Sequence, residues 1–228
     1  MARPLVYFGN GDFRSLQHSF ARLEAFDLKR NWTQVTALLG YAGSRREACE
    51  ACEVCLNSSH EAGMAQAVAI SLDEKDFGAF LKRFYESFRG AKGARDRPQV
   101  WKGMEFRSCI GIPGGHKGEL YKLVQSENAF QMDLRAGQGS DPDAFNVLWV
   151  YDSLKFPFSR AEQYLQFVES ELRPEENWYH GCLRNAQLLA GRIEPTKCPE
   201  MAPPGATEII SHRLLGSKTS KIQNTLNS

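Results

Sequence analysis

The chain has 228 residues, of which 42% are hydrophobic and 24% charged, and its 28 lysines and arginines face 27 aspartates and glutamates. This composition is typical of a globular protein that can bury a core, whereas a net charge of +1 provides no broad positive field for nucleic acid or an anionic membrane. No apolar run approaches the roughly 20 residues that cross a bilayer, so we expect neither nucleic-acid binding nor membrane insertion.

The predicted elements begin with a short strand, Leu5 to Phe8, which stops at the turn residues Gly9-Asn10-Gly11. A helix should follow, with Asp12 at the position of an N-cap and an apolar stripe at helical spacing. The stripe consists of Phe13, Leu16, Phe20, Leu23 and Phe26. Two further strands are predicted at Gln34 to Tyr41 and at Ala65 to Leu72.

The second half of the chain continues the alternation of helices and strands. Aromatic residues from Phe77 to Phe88 recur at helical spacing after an acidic first turn. Strands are predicted at Phe106 to Ile112 and at Phe145 to Asp152, with the loop Gly137 to Pro142 between them. A further helix is predicted at Arg160 to Leu172.

Because only some strand pairs have a helix between them, the pattern favours an α+β fold over a doubly wound parallel sheet. We predict a two-layer sandwich of helices on a mixed sheet. One domain should span residues 1–194, and the proline-rich, polar segment 195–228 is predicted to be an extension without its own core. No secretory signal pattern precedes the first strand, so we expect a cytoplasmic or other reducing compartment with cysteines as thiols.

Six short motifs occur in order over residues 5 to 170, and each resembles a motif of the A-type peptide methionine sulfoxide reductases. They are Gly11-Asp12-Phe13-Arg14-Ser15, Gly40-Tyr41-Ala42-Gly43-Ser44, Val54-Cys55, Met64-Ala65-Gln66-Ala67-Val68, Phe106-Arg107-Ser108-Cys109-Ile110 and Ala161-Glu162-Gln163-Tyr164-Leu165-Gln166. The resemblance implies a two-layer α+β fold. For an ordinary member it implies reduction of methionine S-sulfoxide by a cysteine thiolate at a helix N-terminus, assisted by an acid, two orienting tyrosines and an aromatic wall.

This sequence departs from the family pattern at nearly every chemical position. Asp12 stands at the nucleophile position, and a carboxylate cannot form the sulfenic or disulfide intermediates. Gln66 stands at the acid position and cannot donate the required proton. Phe13 keeps half of the aromatic pair, whereas Arg14 replaces the expected tryptophan. The other departures are Ala51 and Phe106 at the tyrosine positions and Trp101 at a carboxylate position.

Two interpretations of Asp12 follow. Aspartate is a preferred N-cap, and a helix N-terminus stabilises a carboxylate. Alternatively, the pocket is repurposed: a carboxylate beside Phe13, Trp101 and Phe106 suits a sulfonium or quaternary ammonium through charge and cation–π attraction. Arg14 argues partly against this second interpretation, because it would neutralise Asp12.

The cysteines leave several alternatives open. Cys49, Cys52 and Cys55 with His60 form a weak zinc candidate, although cysteines three residues apart on one helix do not converge. Cys52 and Cys55 are also candidates for a redox-active dithiol. The third alternative is that Cys49, Cys52 and Cys55 are buried thiols or thiols without a chemical role. The segment from Cys55 to Gln66 is three residues longer than the family spacing, so a shifted register would place His60 or Glu61 at the acid position.

We therefore predict a divergent relative of these reductases that has lost thiol-based reduction and acts as a binding or structural protein, with a pocket for a small methylated ligand. The alternative is an active peptide-methionine (S)-S-oxide reductase that uses a non-standard cysteine, so its status as an enzyme is open. No cofactor is expected. The expected partner is a small methylated ligand or a protein, and thioredoxin only if reductase activity survives.

Overall fold

The computed structural model of the protein describes residues 5–11, 13–44, 62–88, 103–168 and 174–194, with the side chains of 174–178 excepted. These residues all belong to one unit, Met1–Cys198. The domain boundary predicted at residue 194 stays a prediction, because the segment 195–228 lies outside the described residues.

A seven-stranded mixed sheet organises the fold, with the strand order β5-β6-β4-β1-β3-β2-β7. The strands are β1 (Leu5–Gly9), β2 (Leu38–Ala42), β3 (Ala65–Ser71), β4 (Cys109–Ile112), β5 (Asp133–Ala136), β6 (Val147–Asp152) and β7 (Ser159–Arg160). β6 runs parallel to both β4 and β5, and the other pairs are antiparallel. The predicted α+β class with a mixed sheet is confirmed.

Four α-helices complete the described fold. They are α1 (Phe13–Arg22), α2 (Phe77–Tyr85), α3 (Tyr121–Ser126) and α4 (Pro174–Leu189). Their buried side chains join one face of the sheet in the main core. The second core, on the opposite sheet face, contains Tyr7, Trp149 and Tyr151 with Phe156 and Phe158 packed against it. No helical residue of the described ranges contributes to this second core, so the layers are helices, sheet and loops.

The alternation of side chains along β1 and β3 decides which residues meet the helices. Phe8 pairs with Val68 in the register, and both belong to the main core. Tyr7 pairs with Ala69, and both belong to the second core. Because side chains alternate faces along a strand, Gln66 lies on the same face as Val68, towards the helices.

The apolar stripe predicted after the first turn is confirmed for four of its five residues, which are buried. Phe26 instead is 46% exposed. The helix widens to a π-helical turn over Leu23–Asp27, which changes the angular spacing of its side chains. Phe26 therefore leaves the core and packs at 5.1 Å, between ring centroids, on Tyr179 of α4.

The helix predicted at Arg160 to Leu172 is wrong over residues 160–168, the part that the structure describes. The backbone first pairs with β2, as β7, and then makes a 3-10 turn at Gln163–Leu165. The Gln166 side chain accepts from the Leu39 N–H and donates to the Leu39 carbonyl, both at 2.9 Å. Tertiary hydrogen bonding of this kind overrides a helical pattern.

Several element bounds differ from the prediction at their starts. β2 begins at Leu38, since the preceding residues form a 3-10 turn at Trp32–Gln34 that Asn31 caps. β4 likewise begins after a 3-10 turn at Met104–Phe106. Three elements were not predicted at all: α3, α4 and the exposed edge strand β5. None of the helices in the described ranges is both long and apolar enough to cross a membrane.

Candidate functional site

The turn between β1 and α1 is the position at which the resemblance puts the nucleophile. Gly11 adopts a φ of +98°, a conformation that other residues rarely adopt, and so lets the chain reverse from the sheet into the helix. Phe13, the first residue of α1, is buried and lies 6.4 Å from Tyr41, ring centroid to ring centroid. Asp12 itself lies outside the described residues.

Gln66 lies close to this turn, near the start of β3. It is paired in the register with Tyr41 of β2, so the two side chains share the helix-facing side of the sheet. Gln66 is only 7% exposed, and its Oε1 atom is buried without a hydrogen-bond partner. A buried amide oxygen without a donor costs free energy, so this group requires a structural or functional reason.

A buried carboxyl group contacts Tyr41, the residue that pairs with Gln66 in the register. The Tyr41 hydroxyl donates to Oε2 of Glu162 at 2.8 Å. Glu162 is 2% exposed and lies two residues after Arg160, the last residue of β7. The strand pairing of β7 with β2 therefore places this carboxyl against Tyr41, across 121 residues of sequence.

Asn10 contributes a second amide oxygen without a donor. Continuing the β1–β3 register two residues beyond Phe8 and Val68 brings Asn10 opposite Gln66. The Asn10 Nδ2 atom donates to the Ser87 hydroxyl at 3.0 Å, and that hydroxyl donates to the Phe84 carbonyl at 2.6 Å. This chain of donors fixes the Asn10 amide, whose Oδ1 atom is buried and unpartnered.

We call Asn10, Phe13, Tyr41, Gln66 and Glu162 the amide–carboxyl cluster. It combines two aromatic rings, a buried carboxyl group and two carbonyl-type oxygens that lack donors. Such a set attracts donors and positive charge, including the polarised C–H groups of a methylated cation. The cluster contains no thiol.

Some of the predicted site residues belong to this cluster or to elements next to it, and the others lie outside the described residues. Phe13 belongs to it, and Arg14 follows half-buried on α1. Phe106 is half-buried in the 3-10 turn Met104–Phe106, which packs against β3. Outside the described residues lie Asp12, Cys49, Ala51, Cys52, Cys55, His60, Glu61 and Trp101.

Two cysteines lie in the described ranges, Cys109 and Cys182, and neither belongs to the cluster. Cys109 is fully buried on the loop-covered face of the sheet, in the same core as Tyr7 and Trp149. The sheet itself therefore separates its thiol from Gln66. Cys182 is half-buried on α4. Within the described ranges, no three His, Cys, Asp or Glu side chains converge as a metal site would require.

A second buried polar group, Arg107, lies directly after Phe106 and forms what we call the Arg107 network. Its Nε donates to the Tyr151 hydroxyl at 2.9 Å, and Nη1 donates to the carbonyls of Gly63 and Met104 at 3.1 and 2.7 Å. Nη2 donates to the Gly43 carbonyl at 2.7 Å. Tyr151 in turn donates to Asp141 at 2.8 Å. This network ties the loops around the sheet together.

Sequence reasoning singled out Gln66 and Phe13 but assigned no role to Asn10, Tyr41 or Glu162. Two of these were visible within the quoted motifs, at Gly40-Tyr41 and Ala161-Glu162. The available signal for Glu162 was its position as the acid of the motif Ala161 to Gln166. Its hydrogen-bond partner, Tyr41, could not be predicted, because the contact depends on the long-range pairing of β7 with β2.

Comparison with known proteins finds similarity to solved structures. No family model matches the chain, and neither does any curated protein. Among solved structures, methionine sulfoxide reductase A of Corynebacterium diphtheriae is similar over 72% of this chain and 73% of that chain, at 14% sequence identity and a TM-score of 0.45. The site described above is defined by this chain's own residues.

Proposed function

We propose that this chain resembles the A-type methionine sulfoxide reductases but lacks thiol-based reduction, and that it binds a small methylated cation at the amide–carboxyl cluster. The observation that carries the proposal is the pair of buried, donorless oxygens, Oδ1 of Asn10 and Oε1 of Gln66. Both lie beside the turn where the family places its nucleophile.

The chemistry of the cluster supports a cationic, methylated ligand over a sulfoxide. A sulfoxide presents an oxygen that needs donors, whereas Asn10 and Gln66 present acceptors to this region. Methyl groups on a sulfonium or quaternary ammonium are polarised and pack against aromatic rings and oxygens. Phe13 and Tyr41 supply the rings, and Glu162 supplies a carboxyl group.

The loss of reductase chemistry is supported by residue types and by placement. Asp12 and Phe106 lack the thiol and the hydroxyl that the family pattern requires. Gln66 cannot serve as the proton donor. Cys109 lies on the other face of the sheet, so it does not substitute for the nucleophile. We propose further that the protein works in a reducing compartment, where thioredoxin is a partner only of the alternative, active reductase.

A turnover assay tests the loss of chemistry. The full chain is incubated with dabsylated methionine S-sulfoxide and dithiothreitol, alongside the Cys52→Ala and Cys55→Ala variants. We expect no turnover above the no-protein control in any of the three. Robust turnover that disappears in either cysteine variant would establish the alternative function and overturn the proposal.

A binding assay tests the ligand class. Trimethylsulfonium and tetramethylammonium are titrated into the full chain by calorimetry, with tert-butanol as an uncharged control of similar shape. We expect saturable binding of the two cations and none of the alcohol. Equal binding of all three would show that the cluster selects shape alone, and absence of cation binding would remove the proposed ligand.

A further inference from the structure

A groove of about 860 Å³ is lined in part by residues of β2, β3 and β7. It lies where β1 begins and β3 ends, and its lining includes Leu5 and Ser71, which are paired in the register. The apolar part of the lining includes Leu38, Ala69 and Phe158. This volume falls within the range of small-molecule sites, which are largely apolar with a few polar groups.

The polar part of the groove is strongly cationic. It contains Lys29, Arg30, Lys75, Arg160 and Arg192 against Asp73 and Asp76. Arg30 is already neutralised, because its guanidinium lies 2.5 Å from Glu24 and 2.9 Å from Asp76. The other four cations therefore dominate the groove of a protein whose net charge is only +1.

Arg160 and Arg192 are held in place by backbone carbonyls rather than by carboxylates. Nη1 of Arg160 donates to the Arg192 carbonyl at 2.7 Å, and Nη1 of Arg192 donates to the Val35 carbonyl at 2.5 Å. The ion pair that Arg160 makes is a 3.7 Å contact with Glu194, which is itself 63% exposed. Exposed pairs of this kind contribute little.

Both guanidinium groups keep donors for a ligand. Nη2 of Arg160 forms, within the described residues, only the 3.7 Å contact with Glu194, so this nitrogen keeps donors for an oxyanion in the groove. Arg192 forms its hydrogen bonds through Nη1, to Val35 and Gln187. Arginine binds phosphate through several parallel N–H donors, and two pre-positioned guanidinium groups reduce the entropy lost on binding.

We infer that this groove binds an organic phosphate monoester, with the phosphate at Arg160 and Arg192 and an apolar body over Ala69 and Phe158. The lysines at positions 29 and 75, both exposed at the rim, add long-range attraction for the anion. The excess of cations matches a dianion better than a carboxylate, which carries a single charge. The lining of the groove shares no residue with the amide–carboxyl cluster.

Calorimetric titration of the full chain with phenyl phosphate tests the inference, with benzoate and benzyl alcohol as single-charge and uncharged probes. We expect saturable binding of phenyl phosphate with a Kd on the order of 0.1 to 1 mM, benzoate about tenfold weaker, and no binding of the alcohol. Benzoate bound as tightly as phenyl phosphate, or no saturable binding of phenyl phosphate, would overturn it.

Substitution of the two arginines tests whether phenyl phosphate binds in the groove. Arg160→Gln and Arg192→Gln should each weaken phenyl phosphate by about tenfold or more, as expected for charge-assisted hydrogen bonds. Arg135→Gln is the matched control, because Arg135 is an exposed arginine on β5 at the opposite edge of the sheet, and it should change nothing. An equal loss in the control would mean that only general charge attraction is measured, and the inference would fail.

The lysines keep the test valid if an arginine variant fails to fold. Lys75→Gln changes an exposed side chain, so the fold should be intact by circular dichroism. Its affinity for phenyl phosphate should fall by about two- to threefold, and added salt should weaken the wild type further. Unchanged affinity in Lys29→Gln and Lys75→Gln together would contradict the placement of the anion.

Discussion

The Arg107 network and the amide–carboxyl cluster are both buried and polar, yet they differ in how completely their hydrogen bonds are formed. Each nitrogen of the Arg107 guanidinium donates to at least one oxygen. In the cluster, Oε1 of Gln66 and Oδ1 of Asn10 have no donor. A complete network stabilises a fold, whereas buried groups without partners lower stability. This difference is the basis on which we propose the cluster as the ligand site.

The largest effect should come from breaking the complete network. Arg107→Leu removes the side-chain donors to the carbonyls of Gly63, Met104 and Gly43 and to the Tyr151 hydroxyl. The Gly43 and Met104 carbonyls keep a backbone N–H donor, whereas the Gly63 carbonyl loses its donor. We expect the free energy of unfolding in urea to fall by about 3 to 5 kcal/mol. Arg135→Leu, an exposed control, should cost less than about 1 kcal/mol. A loss at Arg107 no larger than in the control would show that the network does not stabilise the fold.

A third buried polar group, His180 on α4, extends the comparison to pH. Its ring lies 4.5 Å from that of His18, centroid to centroid, and both of its nitrogens lack partners. Burial, then His18 and Arg22, lower the pKa of His180 from its ordinary 6.5 to about 4. Between pH 6.5 and about pH 4 the unfolded chain therefore binds a proton more readily than the folded chain. The free energy of unfolding must fall as the pH drops through this window.

The size of this pH effect is up to about 3 kcal/mol between pH 6.5 and pH 4. His180→Leu should remove that part of the pH dependence, measured as the difference in urea unfolding between wild type and variant at each pH. Cys182→Ala, on the same helix, should retain it. Parallel pH profiles for wild type and His180→Leu would show that the pKa of His180 is the same in the folded and the unfolded chain, which would contradict the prediction.

Two buried glutamines offer the sharpest contrast in stability. Gln17 is fully engaged: its amide donates to Ala37 and Gln166 and accepts from the Phe167 N–H. Gln17→Leu should therefore cost about 2 to 4 kcal/mol. Gln66→Leu removes an oxygen that has no partner, so its unfolding free energy should stay within about 1 kcal/mol of the wild type or rise. Equal losses of unfolding free energy in Gln17→Leu and Gln66→Leu would show that the two glutamines do not differ in their contribution to stability.

The smallest effect concerns the contact between Tyr41 and Glu162. Tyr41→Phe removes the hydroxyl that donates to the Glu162 carboxyl at 2.8 Å, which should lower unfolding stability by about 1 to 2 kcal/mol. Tyr85→Phe removes a buried hydroxyl that donates to the Val124 carbonyl at 3.0 Å, and it should cost about 1 kcal/mol or less. A larger loss at Tyr85 than at Tyr41 would argue against a strong contact to Glu162.

The elements near the start of the chain could be predicted from their local sequence. β1 and β3 are short, mostly apolar runs that end at turn or charged residues, and α1 carries an apolar stripe at helical spacing. The segment after Arg160 could not, since Gln166 binds Leu39 across 127 residues and holds the chain out of a helix. The exposed strand β5, with its burial pattern of mostly exposed residues, has no apolar alternation to detect.

The candidate site was predictable in residue types and not in its contacts. Motif positions drew attention to Phe13 and Gln66, which the structure places at the cluster. That the oxygen of Gln66 lacks a donor is a property of the packed strands and appears only in three dimensions. The same holds for Glu162, whose tyrosine partner is set by the pairing of β7 with β2.

Titration of trimethylsulfonium into the wild type and into Gln66→Leu tests the central claim most directly. The account predicts saturable binding to the wild type and at least about tenfold weaker binding to Gln66→Leu, while the unfolding stability of the variant is equal or higher. Equal affinity in the two proteins, or no binding to either, would contradict a ligand role for the amide–carboxyl cluster.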